Sequence, residues 1–235
     1  MTVFLSASSA LAEDVDIQFT VFARYRQAGL QYLPGPSAKP ETLKFYVQNK
    51  SSVYKYKGSD KLSFYADADL EKYAKAKAAD PKTALPAPVA VVAIPKNLKE
   101  ALLLFIPLAA PDANGCKFVI YPVDDSLDTL PAGCMKILNA SGRIYSGQIG
   151  TQLVDVPHGL SRNVPASGNV ELKLAYSESN QWLLAAQQPI SIGSRDRICL
   201  VLFPPTSKTG IAPIIRTLVD EIPPAAKSSY LAQVN

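Results

Sequence analysis

Three groups of side chains in this 235-residue chain have the chemistry to hold a ligand or drive a reaction. The first is a stretch in which lysines alternate with tyrosines: Lys50, Tyr54, Lys55, Tyr56, Lys57 and Lys61, with Tyr65 beyond. Ammonium groups interleaved with aromatic rings can bind an acidic polymer, the charge attracting the anion and the rings stacking on its flat units. Lysines on an outer strand also keep sheets from adding edge to edge, which is the plainer role. The second half of the chain has Ser146, Gly147 and Gln148 instead, so the basic patch is local.

The second group is His158, the single histidine, in Val156-Pro-His-Gly-Leu160. A general base needs a nucleophile in front of it and a carboxylate behind it. The sequence has no Gly-x-Ser-x-Gly elbow, so His158 is expected to be a turn residue and no catalytic residue is assigned. With Cys116, Cys134 and Cys199 it makes a Cys₃His set by number, but no two cysteines are close, and no metal site is expected. Phosphate loops, dinucleotide fingerprints, HExxH and CxxC are missing from the sequence, and no cofactor is expected.

The third group is acidic. Asp124-Asp125 and Asp220-Glu221 could begin a calcium site, since hard cations take several oxygen ligands. No Asp-x-Asp-x-Asp loop surrounds them, and solvated strand ends that start turns are expected. Asn49-Lys-Ser51 and Asn139-Ala-Ser141 are the two glycosylation sequons. One shared turn, with Asn at positive φ and bonded to its own backbone, accounts for both without a glycan.

The elements that would position these groups follow from composition and pattern. Hydrophobic residues make up 48% and charged residues 19%, enough apolar material for a core. The net charge of +4 divides evenly along the chain, which argues against a nucleic-acid module. Residues 1–12 (MTVFLSASSALA) end in the small-x-small pattern Ala10-Leu-Ala12, read as the remnant of an export signal cleaved after Ala12. No apolar run reaches the roughly 18 to 20 residues that span a bilayer. In an oxidising compartment Cys116 and Cys134 can bridge, while Cys199, inside an apolar run, is expected to be a buried thiol.

The chain also resembles itself. Leu102–Pro107 matches Leu200–Pro205, and Val119–Asp125 matches Ile215–Glu221. Phe45–Ser51 matches Met135–Ser141, and Val53-Tyr54 matches Ile144-Tyr145. These collinear blocks predict two copies of one unit of ~95 residues. Val53–Lys57 and Asn169–Tyr176 alternate as half-exposed strands do, whereas Leu102–Phe105 and Leu200–Phe203 read as central strands buried on both faces. Proline, 19 residues against a usual share of about 5%, falls between the runs. Asp69–Ala79 reads as a short inserted helix capped by Asp69, and Ile17–Arg26 with Leu30–Leu33 would supply the first copy's missing strands.

The expected fold is therefore all-β: two tandem β-sandwich domains from an internal duplication, with one short inserted helix. The first spans 13–125 with a repeat core at 40–125, the second 131–223, followed by a tail at 224–235. The two Asn-containing blocks, the Leu-Leu-Leu-Phe and Leu-Val-Leu-Phe strands followed by Pro, and the closing Val-Asp-Asp and Val-Asp-Glu resemble tandem β-sandwich (Ig-like) modules of exported bacterial envelope proteins. That resemblance implies adhesion or envelope scaffolding and carries over no site residues. The function expected is a non-enzymatic exported binding or structural module whose partner is an envelope protein or polysaccharide. One alternative is a carbohydrate-active or hydrolytic enzyme with carboxylates converging between domains. The other is acidic-polymer binding through Lys50, Tyr54, Lys55, Tyr56, Lys57 and Lys61.

Overall fold

The structure, a computed structural model, describes residues 14–36, 38–207 and 209–223. The expected leader (1–12) and the expected tail (224–235) lie outside the described residues. The described residues are all-β with one helix, and the chain divides into two units, Met1–Ser126 and Leu127–Asn235.

In the first unit the strands are β1 (Asp14–Ala23), β2 (Leu30–Tyr32), β3 (Glu41–Thr42), β4 (Tyr54–Ser59), β5 (Lys61–Ala66), β6 (Ala90–Ala93), β7 (Glu100–Pro107) and β8 (Phe118–Asp124). They form two sheets, ordered β4-β1-β7-β8 and β3-β2-β5-β6. Apolar residues alternate along β1, so Ile17, Phe19 and Val21 face inward while Asp14, Asp16 and Gln18 face out. The two sheets share one core, in which Phe19 meets Tyr32 edge-on at 5.2 Å and Phe64 meets Phe105 at 5.0 Å.

The second unit contains β9 (Cys134–Asn139), β10 (Tyr145–Ile149), β11 (Gln152–Val156), β12 (Gly159–Leu160), β13 (Val164–Pro165), β14 (Gly168–Glu178), β15 (Gln181–Ile192), β16 (Asp196–Phe203) and β17 (Ile214–Glu221). Its sheets are β12-β9-β16-β17, with β13 also on β9, and β11-β10-β14-β15. Their shared core is mainly aliphatic, with Ile137, Leu172, Leu174, Leu200 and Leu202 at its centre.

Apart from β13, which has no counterpart in the first unit, the two units have the same connectivity. Each begins with a strand that pairs parallel to the penultimate one, β1 with β7 and β9 with β16, and each ends on an antiparallel partner. The same side-chain stitch recurs on these first strands. Ser51 Oγ accepts the Val21 N–H at 2.8 Å, and Ser161 Oγ accepts the Ile137 N–H at 2.9 Å. Both hydroxyls then donate to the carbonyl of the next residue, at 2.7 and 2.9 Å.

This register corrects part of the sequence matching. Met135–Asn139 falls in β9, which occupies the place of β1, whereas residues 45–51 form no strand. Leu43 and Phe45 are buried alternately as strand residues would be, yet past β3 the segment belongs to no strand, with Leu43 N–H donating to the Leu30 carbonyl at 2.8 Å. Ser51 therefore matches Ser161 and not Ser141. Periodicity reports burial, and it cannot distinguish a paired strand from an extended plug.

β7 and β16 are central, and Leu102–Phe105 and Leu200–Phe203 are buried on both faces, as their unbroken apolar runs predict. The helix α1 runs Asp67–Ala79 and starts two residues before the expected cap. Ala66 is its N-cap without a side-chain bond, and Asp69 lies in the first turn, where its charge favours the helix dipole. Leu70 is its one buried residue, consistent with a surface element.

Candidate functional site

The lysine–tyrosine stretch separates by face. Along β4, Tyr54 and Tyr56 point into the core while Lys55 and Lys57 point out. Tyr54 Oη accepts the Lys44 N–H at 2.8 Å, and Tyr56 Oη donates to the Ser59 carbonyl at 2.9 Å. Burial holds the Tyr56 phenol above its ordinary pKa. Neither ring offers a face for stacking, because alternation puts the aromatic and the basic residues on opposite sides of the strand.

Lys50 leaves the patch altogether. Its ammonium is buried and bonds both carboxylate oxygens of Asp125, at 2.8 and 2.7 Å. This ion pair ties the segment before β4 to the end of β8, so Lys50 is structural and Asp125 is no metal ligand. Outside, Lys57 stands opposite Asp16 and Lys55 opposite Gln18, which is itself beside Glu100 on β7. The outer face therefore carries both signs, which weakens any general pull on a polyanion. Lys57 and Lys61 do come together with Tyr56 and Tyr65 along a cleft of about 300 Å³.

The other candidates are also placed. His158 is exposed at the bend between β11 and β12. Asp124 accepts the Ser126 N–H at 3.0 Å, and Asp220 pairs with Arg197 at 3.1 Å while Glu221 meets Arg195. No group of three His, Cys, Asp or Glu capable of holding a metal is present among the described residues. All three cysteines are free thiols; Cys199 is buried, as expected, and burial raises the Cys116 pKa.

The sequons do not share one turn. Among the described residues the non-glycine positions at positive φ are Ser179 and Asn180, so neither Asn49 nor Asn139 takes that conformation. Asn139 is buried at the end of β9, where Nδ2 donates to the carbonyls of Arg143 (2.7 Å) and Val156 (3.1 Å). Its Oδ1 accepts the Ser141 N–H at 3.1 Å, closing an Asx turn. Asn49 is exposed in a separate bend.

A different site emerges where the first strand of each unit leaves its sheet. In the second unit the β9–β10 loop, the bend at His158 and the end of the β14–β15 hairpin enclose an open cleft of about 380 Å³. Arg143, Ser146, His158, Tyr176, Ser177 and Trp182 line it. The hairpin turns through Ser179 (φ 50°) and Asn180 (φ 64°), a two-residue left-handed turn matching the twist of its strands. That turn places Ser177 opposite Trp182. Trp182 is 64% exposed and Ile144 60%. The Arg143 guanidinium lies over the Tyr176 ring at 4.9 Å, and Tyr176 in turn packs against Tyr145 at 6.1 Å.

The first unit has a cleft of about 400 Å³ at the corresponding place, between the β1–β2 and β3–β4 loops. Arg26, Lys44 and the exposed Tyr46 line it. No carboxylate lines either cleft, so the paired acids of a glycosidase have no place in these two. Both clefts escape sequence reasoning because their residues come from segments that are separate in the chain. The available signal was Trp182, the one tryptophan, two residues past a turn. The chain matches no family model and no curated protein.

Proposed function

We propose that this chain is an exported, non-enzymatic binding or structural module of the cell envelope, acting in adhesion or scaffolding. In this proposal its two sandwiches descend from one duplicated unit, and ligand or partner is met at the loop ends. The observation that carries the reading is Trp182, 64% exposed at the rim of a cleft bordered by Arg143 and Tyr176. A soluble domain gains nothing by holding an indole in water, and exposed aromatics beside arginine are the residues that anchor binding partners. The shared connectivity and the paired serine stitches support the common origin.

The test is retention of the full chain on washed envelope material from the native cell, at low and raised salt. The wild type is expected to be retained and Trp182→Ala to be retained several-fold less. Equal retention of both proteins would remove the loop-end site, and turnover abolished by a single substitution would replace the binding reading with an enzyme. Export has its own check. N-terminal sequencing of the native protein should begin at residue 13, and a retained Met1 or Thr2 would contradict it.

A further inference from the structure

We infer that β15 is a docking edge for a second copy of this chain, the two strands pairing antiparallel about a two-fold axis. This rests on the binding-module reading and deepens it by giving the Trp182 side of the second unit a partner. β15 ends the sheet β11-β10-β14-β15, so one side of its backbone faces no neighbouring strand. Among the described residues, no backbone hydrogen bond reaches residues 181–192 except along the ladder with β14. The strand is 12 residues long, and Gln181–Ile192 contains no Lys, Arg, Asp or Glu. Edge strands are ordinarily kept apart by being short, charged or covered. The other sheet-ending strands of this chain follow that rule. β3 and β12 have 2 residues each and β6 has 4, while β4, β8, β11 and β17 carry Lys55, Asp124, Asp155 and Asp220. β6 holds the place in the first unit that β15 holds in the second, and its start is closed as well: the Lys117 N–H donates to the Val89 carbonyl at 2.7 Å.

The strand's own side chains name the occupant. Trp182 (64% exposed) and Leu184 (60%) stand two residues apart, so both project from the outer face of the sheet. Further along, Pro189 has no N–H to offer, and the register shift opposite Leu174 and Ala175 bends the strand. Both features close the later part of the edge and leave the first part, around Trp182 and Leu184, open to a partner. A two-fold axis at Leu183 sets Trp182 opposite Leu184 of the second copy and Leu184 opposite its Trp182. Four apolar side chains that stand in water in the single chain then cover one another. A two-fold axis also brings every charge on such a strand close to its own copy, and this strand has none to repel. Pairing consumes both edges, so assembly stops at two chains.

Sedimentation velocity of the full chain over a range of concentrations reads the assembly, and Trp182, the one tryptophan, reads the edge. The wild type is expected to reach the mass of two chains, with its emission moving to shorter wavelength as they pair. Leu184→Lys and Leu184→Glu each set like charges across the axis, where diagonal neighbours lie about 7–8 Å apart, within reach of long side chains. Each variant alone should associate about tenfold or more weakly, and an equimolar mixture of the two should regain association. Leu184 is exposed, so both substitutions leave the core intact, and unchanged urea midpoints guard against misfolding.

A wild type that stays monomeric at every concentration overturns the inference, and envelope retention then judges the binding-module reading independently. Variants that each pair as well as the wild type move the interface off β15 and overturn the site. Monomeric variants whose mixture also stays monomeric overturn the second copy as the occupant of this edge.

Discussion

The Lys50–Asp125 pair illustrates how one residue can have a large effect without touching a ligand. Both side chains are nearly out of solvent, so removing one partner leaves the other charge buried without this counter-ion. Lys50→Met alone should cost about 3–5 kcal/mol, whereas Lys50→Met with Asp125→Leu should recover most of it. Urea unfolding of the two variants decides this, and equal destabilisation would contradict it. The serine stitches make a second prediction at this scale. Ser51→Ala and Ser161→Ala each strand a first-strand N–H inside the protein, at about 1–3 kcal/mol apiece. Losses near zero in denaturant titrations would mean the stitch is incidental.

At the level of elements, β7 and β16 hold their units together because each is central and buried on both faces. Leu103→Ala and Leu200→Ala should each cost about 2–5 kcal/mol, the range for a cavity in a packed core. By contrast α1 contributes little beyond Leu70, so Lys75→Ala should stay within about 0.5 kcal/mol by thermal melting. The β10–β11 pairing sets a stricter limit. A Cβ at Gly147 would sit 2.8 Å from Val154 Cγ1 and 3.1 Å from Val156 Cγ2. Gly147→Ala should therefore destabilise by about 1–3 kcal/mol, and an unchanged urea midpoint would show that both valines can move aside.

Across the whole molecule both units keep tyrosines in their cores. Burial pushes up the phenol pKa values of Tyr32 and Tyr56 in the first unit and of Tyr145 in the second. Unfolded phenols ionise near pH 10, and these folded ones hold their protons above that. Between the two values the folded state binds more protons than the unfolded state, so stability falls as pH rises. Their contribution is complete below about pH 10 and is lost progressively above it. Urea midpoints should hold steady to about pH 9.5 and drop by pH 11. A flat profile would mean that these rings meet solvent in the native state.

The sequence by itself determined the all-β class, the central strands and the outward face of Lys55 and Lys57. Each is a local consequence of apolar pattern: burial on two faces needs an unbroken run, burial on one needs alternation. The same kind of pattern matched Phe45–Ser51 to Met135–Ser141, since a segment outside the sheets and a paired strand can bury alternate residues alike. Only the tertiary structure decided that Lys50 neutralises Asp125, 75 residues away, and that the Tyr54 and Tyr56 rings are largely buried. It also decided which loops meet. Arg143 and His158 lie on two different connections and Trp182 on β15, and their approach follows from β10 pairing with both β11 and β14. Strand pairing between distant segments creates such a site, and spacing along the chain carries no trace of it.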